Sequence, residues 1–260
     1  MIHGRTLAAT VISIALASLP LRADVTFTES ILTRSTGQKV DVRRVISLKG
    51  LSMRVEAVRG DERVVTIYDA AAGRIVVLNP GKKQAEVYQA DKVAAEVEKK
   101  LPSRRVTAEL KPTGRSKGML GVTCEEYEFV IRAPIGATSN TMFSLTGTAW
   151  IARTGPGIED YVTFYEAAEK QQLIFGDFNS SRAVLALTRG QTELYRRIGA
   201  LGGVPYAIDF TFKFDGTGMT IGLANKMASG TRVTTTTAVQ TSPIADETFA
   251  IPKGWTTKNK

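Results

Sequence analysis

The stretch that most constrains this chain is Val204 to Phe214, VPYAIDFTFKF. Val204, Tyr206, Ile208, Phe210, Phe212 and Phe214 alternate there with Pro205, Ala207, Asp209, Thr211 and Lys213. Period-two alternation over this length is the pattern of a strand with one apolar and one wetter face. Gly202-Gly203 opens it and Asp215 to Gly218 closes it with turn residues. Four aromatic rings on one face need a large apolar partner surface, and the rest of the chain must supply it.

The first residues read as a segment removed before folding. Arg5 gives a positive start, Leu7 to Leu19 is an almost uncharged apolar run, and Leu21-Arg22-Ala23 ends on a small residue before Asp24. This is the pattern of a secretory signal peptide over 1–23, cleaved after Ala23, and too short for a comfortable membrane span. No cysteine follows the run, so no lipid anchor is expected at the new N-terminus, and the expected compartment is a bacterial periplasm. Removing 1–23 takes Arg5 and Arg22 from the 34 basic residues and nothing from the 25 acidic ones, leaving a net charge of +7.

Turn residues recur at short intervals between β-prone runs from Asp24 to Gln89. The runs are Val25 to Thr33, Lys39 to Leu48, Leu51 to Ala57, Arg63 to Tyr68, Arg74 to Leu78 and Gln84 to Gln89. In the second, Val40, Val42, Ile46 and Leu48 share a face opposite Asp41, Arg43 and Ser47. Such spacing predicts an antiparallel meander rather than βαβ units. Asp91 to Leu101 changes period: Val93, Ala94 and Val97 share a face and Pro102 stops a short helix. Strands are expected again at Arg104 to Leu110, Leu120 to Arg132 and Met142 to Ala152, with loops at Pro112 to Gly118 and Pro134 to Asn140. Helices are expected near 158–175 and 181–198, the second weakened by Gly190. Met219 to Leu223 and Thr231 to Gln240 read as two more strands, and the tail Ile244 to Trp255 as a turn and an extended segment. Residues 24–260 therefore form one mainly β (α+β) domain, a curved antiparallel sheet (an open or half β-barrel of about 10–12 strands) covered by two or three short helices.

The only histidine is His3, inside the leader, so the mature chain has none. That removes Ser/His and Cys/His nucleophiles, His-ligated zinc and His general bases together. No enzyme activity, cofactor or metal is expected; a hydrolase independent of histidine is the remaining enzymatic reading. Gly114-Arg115-Ser116-Lys117-Gly118 matches Gly-x-Ser-x-Gly in form but lacks the strand, helix and histidine of a nucleophile elbow, and reads as a basic loop. Glu125, Glu126 and Glu128 read as the wet side of a strand paired to basic neighbours. Cys124 is the only cysteine, so no intrachain disulfide forms, and burial is the ordinary state of such a residue. The ten basic residues between Lys82 and Lys117, against five acidic ones, read ordinarily as a solvated face; the alternative is a field that attracts an anionic membrane or another acidic surface. No nucleic-acid-binding motif accompanies it.

What remains is excess apolar surface. Tyr206, Ile208, Phe210 and Phe212 on the aromatic strand, Met142 and Trp150 on another, and Tyr161 and Tyr165 on a helix either pack as a plain core or wall an apolar cavity. The order of elements resembles the lipoprotein-localisation fold (LolA/LolB-like), closest to an uncharacterised branch of exported bacterial proteins. The residues that carry the resemblance are Lys49 to Arg54 (KGLSMR), Leu78 to Lys83 (LNPGKK), Gly121 to Tyr127 (GVTCEEY), Gly203-Val204-Pro205 and Phe249 to Trp255 (FAIPKGW). The resemblance implies a half-barrel closed by helices whose concave side holds acyl chains. On it, the expected function is a non-enzymatic periplasmic binding protein for a lipid, an acyl chain or an acylated protein. The alternative is a cell-envelope interaction module with a packed core and no ligand.

Overall fold

A computed structural model describes residues 24–136, 140–179, 181–216 and 218–260; the expected signal peptide lies outside them. Twelve strands form one sheet. They are β1 (Val25–Ser35), β2 (Gln38–Lys49), β3 (Ser52–Arg59), β4 (Glu62–Asp69), β5 (Arg74–Asn79), β6 (Gln84–Gln89), β7 (Thr107–Met119), β8 (Val122–Pro134), β9 (Met142–Ala152), β10 (Val204–Asp215), β11 (Gly230–Thr241) and β12 (Thr256–Asn259). Four helices accompany them: α1 (Ala90–Lys100), α2 (Ile158–Lys170), α3 (Arg182–Ala200) and α4 (Met219–Ala228). The strand order is β12-β6-β5-β4-β3-β2-β1-β11-β10-β9-β8-β7. All neighbours are antiparallel except β12, which runs parallel to β6.

The sheet is curved, and the helices show why it has to be. α1 follows β6 near one end of the strand order, whereas α3 packs on β7, β8 and β9 at the other. Arg189 of α3 nevertheless pairs with Glu98 of α1 at 3.3 Å. Twelve strands spaced about 4.8 Å apart would span roughly 50 Å if flat. Only a sheet curled around α3 brings both ends to one helix. This is the half-barrel architecture that the resemblance to the lipoprotein-localisation fold implies.

Close approach of α3 to the sheet depends on a missing side chain. A Cβ on Gly190 would come within 2.7 Å of Leu145 Cδ1, so the glycine that weakens the helix also seats it on β8 and β9. α2 lies against α3, with Tyr161, Phe164, Tyr165 and Ala168 buried between them and the strands. The inner core runs from Val25 and Phe27 through Phe129, Leu145 and Ile151 to the rings of β10.

Strands β4 to β6 are covered on their outer face as well. Val65, Ile67, Val76, Leu78, Ala85 and Val87 point outward into a second cluster covered by Phe249, Ile251 and Trp255 of the tail. The tail is tied down by polar contacts: Lys49 Nζ pairs with Asp246 at 2.7 Å and donates to the Ile244 carbonyl at 2.6 Å, while Ile244 N–H donates to Asp24 at 2.6 Å.

Three sequence expectations are corrected: two segments change type, and Glu126, expected on the wet side of its strand with Glu125 and Glu128, is buried while those two are exposed. Met219 to Leu223 is not a strand but the first half of α4, because Ala224 to Ala228 extend the run with helix formers. Asn225 fixes that helix on β10, accepting from Phe214 N–H at 2.7 Å and donating to the Phe214 carbonyl at 2.9 Å. Pro112 to Gly118 is not a loop but part of β7, which stays paired to β8 across a register shift between Pro112 and Ser116. The shift turns Thr113 and Arg115 toward the buried carboxylate of Glu126, to which Thr113 Oγ1 donates at 2.8 Å and Arg115 Nε at 2.5 Å. Cys124 is fully buried beside it, and burial pushes its thiol above its ordinary value.

Candidate functional site

A cavity of about 570 Å³ lies between the inner face of β1 to β5 and β11 and the first half of α3. Its wall follows from strand register. Across β1, β2, β3, β4 and β5 the partners Phe27, Ile46, Val55, Thr66 and Val77 form one transverse row; Glu29, Arg44, Ala57 and Val64 form the next. Residues in register point to one face. From β2 to β5 these rows carry β-branched and small side chains and Arg44, where the opposite half of the sheet carries the rings of Phe129, Phe143, Phe210 and Phe212. Helix α3 closes the top with Val184, Leu187, Thr188, Gln191 and Tyr195, which recur at helical spacing. Val64 and Val184 are among the exposed large apolar side chains and both line the cavity, so its rim is greasy as well as its wall.

Polar groups sit at one side of this apolar space. Glu29, paired across strands to Arg44, accepts from Arg44 Nε at 2.5 Å, and Arg44 also donates to Tyr195 Oη at 3.1 Å. Burial pulls the Arg44 guanidinium down, but the charge of Glu29 and these two hydrogen bonds more than offset it and hold it well above its ordinary value. Arg232 of β11 also lines the cavity, with Thr33 and Gln191 as its hydrogen-bond partners.

A second cavity of about 560 Å³ separates α1, α2 and α3, and Tyr165 and Phe175 line both. Their rings lie 5.0 Å apart, with Tyr68 5.1 Å from Phe175 on the other side. An aromatic partition therefore divides the two spaces. Charges around the second cavity neutralise one another: Arg189 with Glu98, Arg196 with Glu169 at 2.8 Å, and Arg196 and Arg197 with Glu193 at 2.5 and 2.9 Å. It reads as a polar seam between helices. Burial alone would raise the Glu193 carboxyl, yet hydrogen bonds from Arg196 and Arg197 hold it below the usual range. A depressed folded-state value means that its contribution is present above the unfolded value near pH 4.3 and lost as pH falls through the lower one. Glu193→Gln is thus expected to cost about 1 kcal/mol at pH 7, a difference that disappears in strong acid when both proteins are unfolded by urea.

With this geometry in hand, the chain can be set beside known proteins. No protein-family model and no curated protein sequence matches it. Solved structures similar to it include PNGF-II in the C2 and P21 space groups, each 10% identical, with TM-scores of 0.38 and 0.37. They cover 92% of this chain but only 31% and 32% of their own, so the chain spans about a third of their length. LolA superfamily protein NE2245 from Nitrosomonas europaea is also similar, at 9% identity and a TM-score of 0.32, covering 88% of this chain and 91% of that one. These are distant likenesses.

The eight residues expected to wall a cavity divide unequally. Tyr165 lines it. Tyr206, Ile208, Phe210 and Phe212 are buried in the packed core instead, with Phe210 6.2 Å from the Phe129 ring and Phe212 6.1 Å from that of Phe143. Rings of β8 and β9 flank Phe210 and Phe212 on the same face of the sheet, and α3 packs on that half of it. Tyr161 stacks on Tyr165 at 4.4 Å, within the core cluster. Trp150 is half-buried under Lys117 Nζ, 3.9 Å from its ring, and Met142 ends β9 opposite Asp215 and Pro134.

The basic stretch from Lys82 to Lys117 is spread across the strand order. Lys82 and Lys83 turn between β5 and β6, near one end of the sheet, while Lys111, Arg115 and Lys117 belong to β7 at the other. Lys99, Lys111 and Arg115 pair with Glu96, Glu109 and Glu126. Among the described residues, no group of three His, Cys, Asp or Glu side chains is placed to hold a metal ion, and no helix is long and apolar enough to cross a membrane.

Proposed function

We propose that the protein is a periplasmic, non-enzymatic binding protein that holds an acyl chain, from a lipid or an acylated protein, in the cavity between β1–β5 and α3. The observation that carries the reading is a space of about 570 Å³ with a largely apolar wall and a greasy rim, unlike the second cavity, whose lining is a set of paired charges. That volume falls in the range of small-molecule sites, about 300–1,000 Å³. The mechanism is burial. Each methylene taken from water contributes about 0.8 kcal/mol, so a sixteen-carbon chain supplies on the order of 10 kcal/mol before ordering costs. Lys82, Lys83 and their neighbours would bring the protein to anionic phospholipid.

Native mass spectrometry of gently purified protein tests the reading. The expected result is a lipid-sized adduct that Ala57→Trp, which fills the cavity from its floor, removes without lowering thermal stability by more than a few degrees. Protein free of adduct that also fails to take up a fluorescent fatty-acid analogue would favour the alternative, an interaction module that binds only through its surface.

A further inference from the structure

We propose that Arg232 selects a ligand whose chain ends in an anionic oxygen head, a carboxylate or phosphate, over a neutral amphiphile of the same length. The proposal rests on the acyl-chain reading of the cavity and adds the chemistry of the ligand's polar end.

Two arginines line the cavity, and they differ in how their charge is met. Arg44 has Glu29 in register across the strand pair and needs nothing more. Arg232 Nε donates to Thr33 Oγ1 at 3.0 Å and one terminal nitrogen donates to Gln191 Oε1 at 3.3 Å. Both acceptors are neutral, and among the described residues Arg232 has no ion-pair partner. A guanidinium carries five N–H donors, so three of them are left for something else. Its guanidinium carbon lies 6.0 Å from the centroid of the Phe210 ring, its register partner on β10.

Charged groups withdrawn from water are ordinarily paired, because an unmet charge in an apolar setting is expensive. Desolvation and the like charge of Arg44 together pull the Arg232 guanidinium below its ordinary value, with no carboxylate offsetting them. The other charged group on the cavity lining, Asp177, sits on the loop before α3, where it accepts from Asn179 N–H at 3.0 Å. An incoming carboxylate or phosphate would meet the guanidinium fork with two parallel hydrogen bonds, while its chain extends along Ile31, Ile46 and Val55.

The test compares palmitate, hexadecyl phosphate and methyl palmitate by displacement of a fluorescent fatty-acid analogue from the full mature chain. Wild type is expected to bind the two anions about tenfold or more tightly than the neutral ester. Arg232→Gln should collapse that ratio to about one, Arg232→Lys should keep part of it, and Arg43→Gln, on the outer face of β2, should leave it intact. Acetate and inorganic phosphate should not displace the probe, since the head alone lacks the burial term. Equal binding of anion and ester by wild type would overturn the proposal while leaving the acyl-chain reading in place. Binding of none of the three long-chain compounds would overturn both. A loss for Arg232→Gln that falls equally on anion and ester, with a lowered melting temperature, would assign Arg232 a structural role and overturn selection.

Discussion

Glu29→Ala is expected to destabilise the protein by about 3–5 kcal/mol, the range for removing one partner of a buried ion pair. Glu29 is 6% exposed and holds Arg44 at 2.5 Å, and Arg44 in turn reaches Tyr195 on α3. Truncating the carboxylate leaves the guanidinium with a single phenol for company beneath the helix. The cost is that of a stranded charge rather than the worth of the pair. The double replacement Glu29→Leu with Arg44→Met should therefore recover most of the loss, since an apolar pair of similar volume needs no counter-charge. Urea unfolding of the wild type and the two variants checks this. A single variant that loses less than 1 kcal/mol, or a double variant worse than the single, would mean that water reaches the pair and that it is not part of a closed interior.

The sequence made the sheet legible and left the cavity hidden, and the reason lies in which side chains carry each. Alternation in β10 and in β1 to β6 needs only local chemistry, so strand positions, the three longer helices and the antiparallel class follow from it. Register does not follow, because it depends on which strands meet. The transverse row Glu29–Arg44–Ala57–Val64 exists only once β1 to β4 are paired. A signal was nonetheless present: Arg44 falls on the same face of its strand as Val42 and Ile46, and Glu29 on the same face as Phe27 and Ile31. One basic and one acidic residue on two otherwise apolar faces mark a buried pair. The aromatic strand pointed elsewhere because rings announce burial without saying whether other rings meet them. α4 was misread for a related reason: Met219, Ile221 and Leu223 alternate like a strand, while Met219, Leu223 and Met227 also recur at helical spacing. The tail over Val65 and Ile67 is not legible because its contact with β4 to β6 joins residues far apart in the chain, and no local pattern in Phe249 to Trp255 says which strands it covers.

Phe210→Asp is expected to abolish the folded state, and Phe210→Ala to cost about 3–5 kcal/mol. Phe210 is 3% exposed, with the Phe129 ring at 6.2 Å, the Phe212 ring at 6.3 Å and the Arg232 guanidinium at 6.0 Å. A carboxylate in that place would be desolvated among rings, and its register partner Arg232 would meet its charge without replacing the apolar contacts of the lost ring. Alanine would open a void too well braced to collapse, since Gly190 already lets α3 press on Leu145 and Ile131 from the other side. The same truncation on the cavity wall should behave differently. Leu187→Ala removes apolar contact from a half-buried side chain that already faces empty space, so its cost should stay near 1 kcal/mol, while acyl-chain affinity falls severalfold. Phe210 and Leu187 thus separate the two readouts: truncating the β10 ring acts on stability, and truncating the apolar side chain on the cavity wall acts on ligand affinity. Thermal and urea unfolding alongside probe displacement on the same variants measure both. A Phe210→Asp protein that folds and merely loses ligand would move the binding site to the aromatic half of the sheet.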